Sequence, residues 1–80
     1  MNIILYTKTG CPWCVMMKEY LDNEDLFFEE RNVTENSDFF AEMKSKSGQE
    51  KAPTLDIDGY IIADADVQDV KSYLSKENNK

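Results

Sequence analysis

The opening segment of the chain joins an apolar strand to a helix through a turn that contains two cysteines. Residues Asn2–Thr7 are rich in β-branched and aromatic side chains, which predicts a buried strand. Thr9-Gly10 ends this run, and Pro12 suits the first turn of a helix, where its missing N–H costs nothing. Because a helix that follows a strand usually returns the chain to a parallel neighbour, this segment already favours an α/β fold.

Periodicity and capping residues predict the remaining elements. The first helix is expected to run from Pro12 to about Asn23, with one apolar face formed by Cys14, Met17, Tyr20 and Leu21. Leu26–Val33 has the composition of a second strand. A second helix is expected after the cap-type residues Thr34, Asn36 and Ser37, ending at about Ser47 before Gly48.

The last third of the chain predicts a hairpin and a closing helix. Asp58-Gly59 lies between the apolar runs 52–57 and 60–62, which indicates a tight turn between two antiparallel strands. Asp66 and Asp69 resemble a capping box, followed by an apolar stripe of Val67, Val70, Tyr73 and Leu74. The predicted order is therefore β-α-β-α-β-β-α, with a mixed four-stranded sheet in a single domain over residues 1–80, and residues 75–80 are expected to fray.

Charge and hydropathy exclude several classes of partner. The 80 residues include 16 acidic and 9 basic side chains, a net charge of −7 that disfavours binding to nucleic acid. The uncharged run Met1–Thr7 is too short for a signal peptide, and no later stretch approaches the roughly 18 apolar residues of a membrane span. We therefore expect a soluble, cytoplasmic protein without a membrane partner. We also expect it to be a monomer.

The chain contains two cysteines and no histidine. The absence of histidine excludes Cys-His and Ser-His-Asp nucleophiles and mixed Cys/His zinc sites. If Cys11 is the N-cap of the first helix, its sulfur faces the backbone amides of Trp13 and Cys14, which favour a thiolate. Cys14 lies one turn into the helix on its apolar face, so we predict that Cys11 attacks a disulfide and Cys14 resolves the product, closing a redox-active Cys11–Cys14 disulfide.

Three other uses of the cysteine pair fit the sequence less well. A structural disulfide that closes so few residues removes little chain entropy, and the cytoplasm would keep it reduced. A zinc site needs about four ligands, of which this pair supplies two, so no metal site is expected. An iron–sulfur cluster would require a second copy of the chain or an external thiol, and this cluster-binding module stays an alternative to the enzyme.

Two motifs resemble those of the glutaredoxins, small members of the thioredoxin-like superfamily. The run 6–14, Tyr-Thr-Lys-Thr-Gly-Cys-Pro-Trp-Cys, is similar to the family's active site, and Gly48-Gln49 followed by Ala52-Pro53-Thr54 is similar to its Gly-Gln-x-x-Val-Pro stretch. The resemblance implies a three-layer α/β/α fold and a cis Pro53 packed against the active-site disulfide. It also implies that the Ala52 backbone pairs with substrate and that Lys8 and Gln49 hold the glycine carboxylate of glutathione. Pro12, Trp13 and Asp66 complete the expected binding residues, with the Trp13 ring contacting partner proteins and the helix amides at Asp66 receiving a carboxylate.

One segment departs from the family pattern. Ala63-Asp64-Ala65-Asp66 stands where many glutaredoxins have a Gly-Gly turn, and Asp64 adds a negative charge near an anionic ligand. For the enzyme, two functions therefore stay open beside the cluster-binding alternative. In the first, the protein reduces protein or glutathione mixed disulfides, with glutathione as reductant and no tightly bound cofactor. In the second, it is a redoxin recharged by thioredoxin reductase that donates electrons to ribonucleotide reductase.

Overall fold

The computed structural model describes residues 1–78 and has the predicted order of elements. The strands and helices are β1 (Ile3–Thr7), α1 (Pro12–Asn23), β2 (Glu29–Asn32), α2 (Ser37–Ser47), β3 (Thr54–Ile57), β4 (Tyr60–Ile62) and α3 (Val67–Asn78). Within these residues, no helix has the length and apolar character needed to span a membrane.

The sheet has the strand order β2-β1-β3-β4. Strand β1 runs parallel to β2 and antiparallel to β3, and β3 forms the predicted hairpin with β4. At the hairpin turn, Asp58 and Gly59 have φ angles of 51° and 90°, the left-handed conformations that a two-residue turn of this kind requires. The prediction of a mixed four-stranded sheet is confirmed.

Alternate residues of β1 supply the two halves of the core. Ile3 and Leu5 pack with α1 and α3 on one face of the sheet, in a cluster that also contains Met17, Leu21, Leu55, Ile57, Ala65, Val70 and Leu74. Tyr6 packs on the other face with Val33, which follows β2, and with Met43 of α2. Because successive residues of a strand point to opposite faces, β1 is the central partition of a three-layer α/β/α fold.

The helix ends follow their capping residues. The Asn36 side chain accepts hydrogen bonds from the backbone of Asp38 and Phe39, at 2.9 and 3.4 Å, and opens α2. Helix α2 ends at Gly48, which has a left-handed φ of 72°. Asp66 and Asp69 form the predicted reciprocal cap of α3, with bonds of 2.9 and 3.1 Å. Helix α3 continues to Asn78, so much of the tail predicted to fray is helical, and residues 79–80 lie outside the described chain.

Strand β2 is shorter than predicted. The structure begins it at Glu29 and ends it at Asn32, and residues 26–28 lie in the loop after α1. In that loop the Leu26 amide donates a 3.0 Å hydrogen bond to the Leu21 carbonyl of α1. Leu26 and Phe28 pack against the core from outside the sheet, whereas Phe27 is exposed. Leu26 and Phe28 are therefore apolar because they contact the core from a loop, and the polar strand Glu29–Asn32 pairs with β1 on one side only.

Candidate active site

Cys11 is the N-cap residue of α1, as predicted. Its backbone is extended, with φ −101° and ψ 105°, and Pro12 occupies the first turn of the helix. The Cys11 sulfur accepts a hydrogen bond from the Cys14 amide at 3.2 Å. This is one of the two amides that the sequence predicted, and it holds a positive N–H dipole against the sulfur. Both cysteines are free thiols in this structure.

The two sulfurs differ sharply in their surroundings. Cys11 is partly exposed, whereas Cys14 is 2% exposed on the apolar face of α1. Burial raises the pKa of the Cys14 thiol to about 12, and hydrogen bonding with Cys11 adds to this effect. A hydrogen bond from the Lys8 backbone and the positive charge of Lys18 oppose it. The accessible sulfur is therefore Cys11, and Cys14 stays protonated near neutral pH.

A cavity of about 410 Å³ opens beside the cysteine pair. Its lining includes both cysteines, Lys8 and Pro12 from the predicted site, and Lys18, Glu30 and Asn32 from α1 and β2. Trp13 lies next to the pair with 63% of its surface exposed. Gln49, Ala52, Pro53 and Asp66 do not line this cavity.

The loop before β3 contains the cis peptide bond that the family resemblance implied. The bond joins Ala52 to Pro53, and Pro53 is buried. The Pro53 carbonyl accepts a 2.8 Å hydrogen bond from the Ala65 amide, and the Thr54 hydroxyl accepts a 3.4 Å bond from the Asp64 amide. These bonds place the segment that departs from the family pattern directly beside the Ala52–Pro53 loop.

Asp64 adopts a left-handed conformation with φ 48°, and it is exposed. Aspartate tolerates this conformation better than most side chains, so the turn forms without the family's glycines. The Asp66 carboxylate accepts a 2.9 Å hydrogen bond from the Asp69 amide at the start of α3. The acidic segment thus keeps the geometry of a turn before a helix and adds an exposed carboxylate at Asp64.

The Gln49 side chain makes hydrogen bonds on both sides of the Ala52–Pro53 loop. Its side-chain nitrogen donates to the Ser47 hydroxyl at 2.9 Å, the Thr54 hydroxyl at 3.1 Å and the Lys51 carbonyl at 3.2 Å. Its side-chain oxygen accepts from the Lys51 amide at 2.6 Å. The amide predicted to hold a carboxylate of glutathione therefore already has internal partners.

Three residues beside the buried cysteine were not among the predicted site residues: Thr7, Lys18 and Glu30. The Lys18 ammonium lies 3.4 Å from the Glu30 carboxylate, which also accepts a 2.8 Å hydrogen bond from the Thr7 hydroxyl. Lys18 follows Cys14 by four residues, a spacing that places both side chains on one face of α1 and that could have revealed it. Glu30 gave no such signal, because its position depends on the pairing of β2 with β1.

The glutaredoxin family model matches residues 3–62, which include the cysteine pair and the whole sheet. The chain belongs to the glutaredoxin family. Family membership implies thiol–disulfide oxidoreductase activity in general, and this glutaredoxin-like chain is accordingly a thiol redox protein.

Individual relatives agree with this assignment. The chain is 34% identical over 74 residues to a glutaredoxin-like 8.6 kDa protein in the rubredoxin operon of Clostridium pasteurianum, covering 92% of this chain and 99% of the relative. It is 32% identical over 65 residues to glutaredoxin 3 of Escherichia coli, covering 81% of this chain and 78% of the relative.

Solved structures show the same fold. The thioredoxin-like protein BC3987 superposes with a TM-score of 0.82 at 27% identity, covering 88% of this chain and 96% of that one. The glutaredoxin-like NrdH-redoxin of Escherichia coli, described as having a thioredoxin-like activity profile, superposes with a TM-score of 0.68 at 26% identity. That match covers 78% of this chain and 80% of the redoxin.

Proposed function

We propose that this protein reduces protein or glutathione mixed disulfides through a dithiol cycle of Cys11 and Cys14. The observation that carries the proposal is the contrast between the two sulfurs: Cys11 is accessible and accepts an amide hydrogen bond, whereas Cys14 is buried and protonated. A helix N-terminus favours the charged form of a sulfur, and the thiolate is the nucleophile in disulfide exchange.

The cycle follows from these positions. The Cys11 thiolate attacks one sulfur of the substrate disulfide, and the other sulfur leaves as a thiolate that takes a proton from water. Cys14 then loses its proton, attacks the Cys11 sulfur and forms the Cys11–Cys14 bond, while the second substrate sulfur leaves. Two electrons have passed to the substrate. Two molecules of glutathione restore the dithiol and become glutathione disulfide, and the cycle requires no tightly bound cofactor.

Three of the other predicted binding residues, Lys8, Trp13 and Ala52, keep the roles that the family resemblance implies. The Ala52 backbone beside Pro53 pairs with an extended substrate, and Lys8, which lines the cavity, supplies a positive charge to an anionic one. Trp13 offers an exposed aromatic surface to a partner protein. The proposal places this work in a reducing compartment, the cytoplasm, and assigns it to a monomer.

Single-cysteine variants test the two roles. Cys11→Ser is expected to abolish disulfide reduction, because it removes the attacking sulfur. Cys14→Ser is expected to keep part of its activity toward glutathione mixed disulfides, since a second glutathione can replace the resolving thiol. Activity is followed as NADPH consumption with glutathione and glutathione reductase, and far-ultraviolet circular dichroism checks that both variants fold. Equal loss in the two variants would contradict the assignment.

A second candidate is a redoxin recharged by thioredoxin reductase, which then donates electrons to a protein such as ribonucleotide reductase. Two observations favour it: the exposed Asp64 carboxylate beside the Ala52–Pro53 loop, and the internal hydrogen bonds of Gln49. The likeness to an NrdH-redoxin with a thioredoxin-like activity profile points the same way.

A coupled assay separates the two reductants. The oxidised protein is offered NADPH with either glutathione plus glutathione reductase or thioredoxin reductase alone. Turnover with glutathione supports the first candidate, and turnover with thioredoxin reductase alone supports the second. Asp64→Asn serves as a matched variant: if the carboxylate repels glutathione, the variant has a lower KM for a glutathione mixed disulfide and an unchanged rate with thioredoxin reductase.

A further inference from the structure

A chain of polar contacts crosses three elements beside the buried cysteine. The Thr7 hydroxyl of β1 donates to Glu30 of β2 at 2.8 Å, and Lys18 of α1 donates to the same carboxylate at 3.4 Å. Thr7 is 1% exposed, so the first contact is anchored inside the protein. Thr7, Lys18 and Glu30 line the same cavity as Cys11 and Cys14. The cavity that contains the resolving sulfur is therefore also lined by an ion pair, Lys18 with Glu30.

Lys18 acts on that sulfur through its charge. Burial is the main cause that raises the pKa of the Cys14 thiol, and the ammonium of Lys18 lowers it. The Lys18 and Glu30 side chains are each 36% exposed, so solvent screens their fields in part. Glu30 carries the opposite charge at 3.4 Å from Lys18 and weakens the positive potential that reaches Cys14.

The other groups facing Cys14 are few. From its own helix and the preceding loop come the Cys11 sulfur and the backbone of Lys8, and the Lys8 side chain lines the cavity with Lys18. From the sheet comes Glu30. No charged side chain from the described parts of α2 or α3 lines this cavity. Lys18 and Glu30 can therefore be altered without disturbing a larger charge network.

We propose that Lys18 and Glu30 tune the resolving step in opposite directions: Lys18 stabilises the Cys14 thiolate as it attacks Cys11, and Glu30, held by Thr7, limits that stabilisation. The inference rests on the proposed function, in which Cys14 attacks Cys11 and closes the ring of the Cys11–Cys14 disulfide. In that step the Cys14 S–H gives its proton to water in the cavity, and the Cys11–Cys14 bond forms. The bond from Cys11 to the substrate sulfur breaks, and the substrate thiolate takes up a proton.

Opposite charges predict opposite effects. Lys18→Met removes the stabilising charge, so the thiolate fraction of Cys14 falls at a given pH. Glu30→Gln leaves Lys18 unneutralised, so that fraction rises. A single charge acting across a partly hydrated site changes such a fraction by about twofold to tenfold. Lys18→Arg keeps the charge and is expected to restore the original behaviour.

Alkylation measures the effect on Cys14 without any disulfide substrate. In a Cys11→Ser background, Cys14 is the sole thiol, and its rate of reaction with iodoacetamide reports its thiolate fraction as the pH is varied. We expect Lys18→Met to react more slowly than the background, Glu30→Gln to react faster, and both differences to shrink in about 1 M salt.

Two variants control for charge in general. Lys71→Met and Glu24→Gln make the same charge changes in a different groove, between α1 and α3, and are expected to leave the rate unchanged. A change that simply opened the cavity would accelerate both Lys18→Met and Glu30→Gln. Rates that move in the same direction, or that do not differ from the controls, would overturn the inference.

Ring closure is then measured with both cysteines present. An aromatic disulfide releases one coloured thiolate when Cys11 attacks and a second when Cys14 closes the ring, so the second phase reports the resolving step. We expect it to be slower in Lys18→Met and faster in Glu30→Gln. An unchanged second phase in both variants would overturn the inference. If the unaltered protein shows no second phase, the proposed function fails instead, and the alkylation series still decides whether Lys18 and Glu30 tune Cys14.

Discussion

Replacing Gln49 by alanine should reveal whether this side chain supports the fold or holds a ligand. The amide makes four internal hydrogen bonds, of which those to the Ser47 and Thr54 hydroxyls are partly buried. The two bonds with Lys51 are exposed, so water can replace them. Each partly buried bond contributes about 0.5–1.5 kcal/mol, which gives a loss of about 1–3 kcal/mol in the free energy of unfolding.

Urea unfolding measures that loss directly. In thermal unfolding of a domain of this size, each kcal/mol of lost stability corresponds to a fall of about 4–8 °C in Tm. The matched control is Gln68→Ala, because Gln68 is exposed on α3 and its side chain makes no hydrogen bond within the described chain. We expect Gln68→Ala to change stability by less than about 0.5 kcal/mol.

Activity assays of Gln49→Ala distinguish a structural role of this side chain from a ligand-binding role. If Gln49 braces the loop, Gln49→Ala lowers stability, and any change in KM is similar for protein and glutathione disulfides. If it holds a carboxylate of glutathione, stability is unchanged, and KM rises for the glutathione mixed disulfide alone. The second pattern would refute the reasoning from the hydrogen bonds.

Three further predictions concern the helix ends and the buried sulfur. Brief alkylation of the reduced protein at neutral pH should label Cys11 and leave Cys14 unmodified, as read from peptide mass spectra. In denaturant both cysteines should react. Equal labelling of the two cysteines in the folded protein would contradict their assigned environments. Gly48→Ala should lower the free energy of unfolding by about 1 kcal/mol, because the residue has a left-handed φ of 72° but no neighbouring atom that a methyl group would strike; an unchanged urea midpoint would argue against this cap geometry. At high pH, the unfolded chain loses the Cys14 proton near the ordinary value of 9.0, whereas the folded chain holds it to about 12. The protonated Cys14 therefore leaves the free energy of unfolding unchanged below about pH 9 and lowers it by about 1.4 kcal/mol per pH unit between about pH 9 and 12. Over that range the urea midpoint of Cys14→Ala should decline less steeply than that of the unaltered protein.

Most of the secondary structure could be predicted because its signals are local. The N-cap of α1, the Asp58-Gly59 turn and the reciprocal cap at Asp66 each depend on residues within a few positions of one another. Strand β2 was predicted too long because Leu26–Phe28 has a strand-like composition. Leu26 and Phe28 are apolar because they pack against the core from the loop after α1, which is a tertiary relation that composition does not distinguish from a strand.

The sequence by itself determined the chemistry of the site and the order of the elements. The absence of histidine excluded nucleophiles that need an imidazole, and a cysteine pair at a strand-to-helix junction indicated sulfur chemistry, with Cys11 on the amides of its own helix. Only the tertiary structure decided which side chains meet around the pair. Thr7 and Glu30 lie 23 positions apart and meet because β2 pairs in parallel with β1, and Lys18, 12 positions from Glu30, reaches it because α1 packs on that face of the sheet. Such contacts depend on the register between strands, so they arise from the packing of the whole sheet.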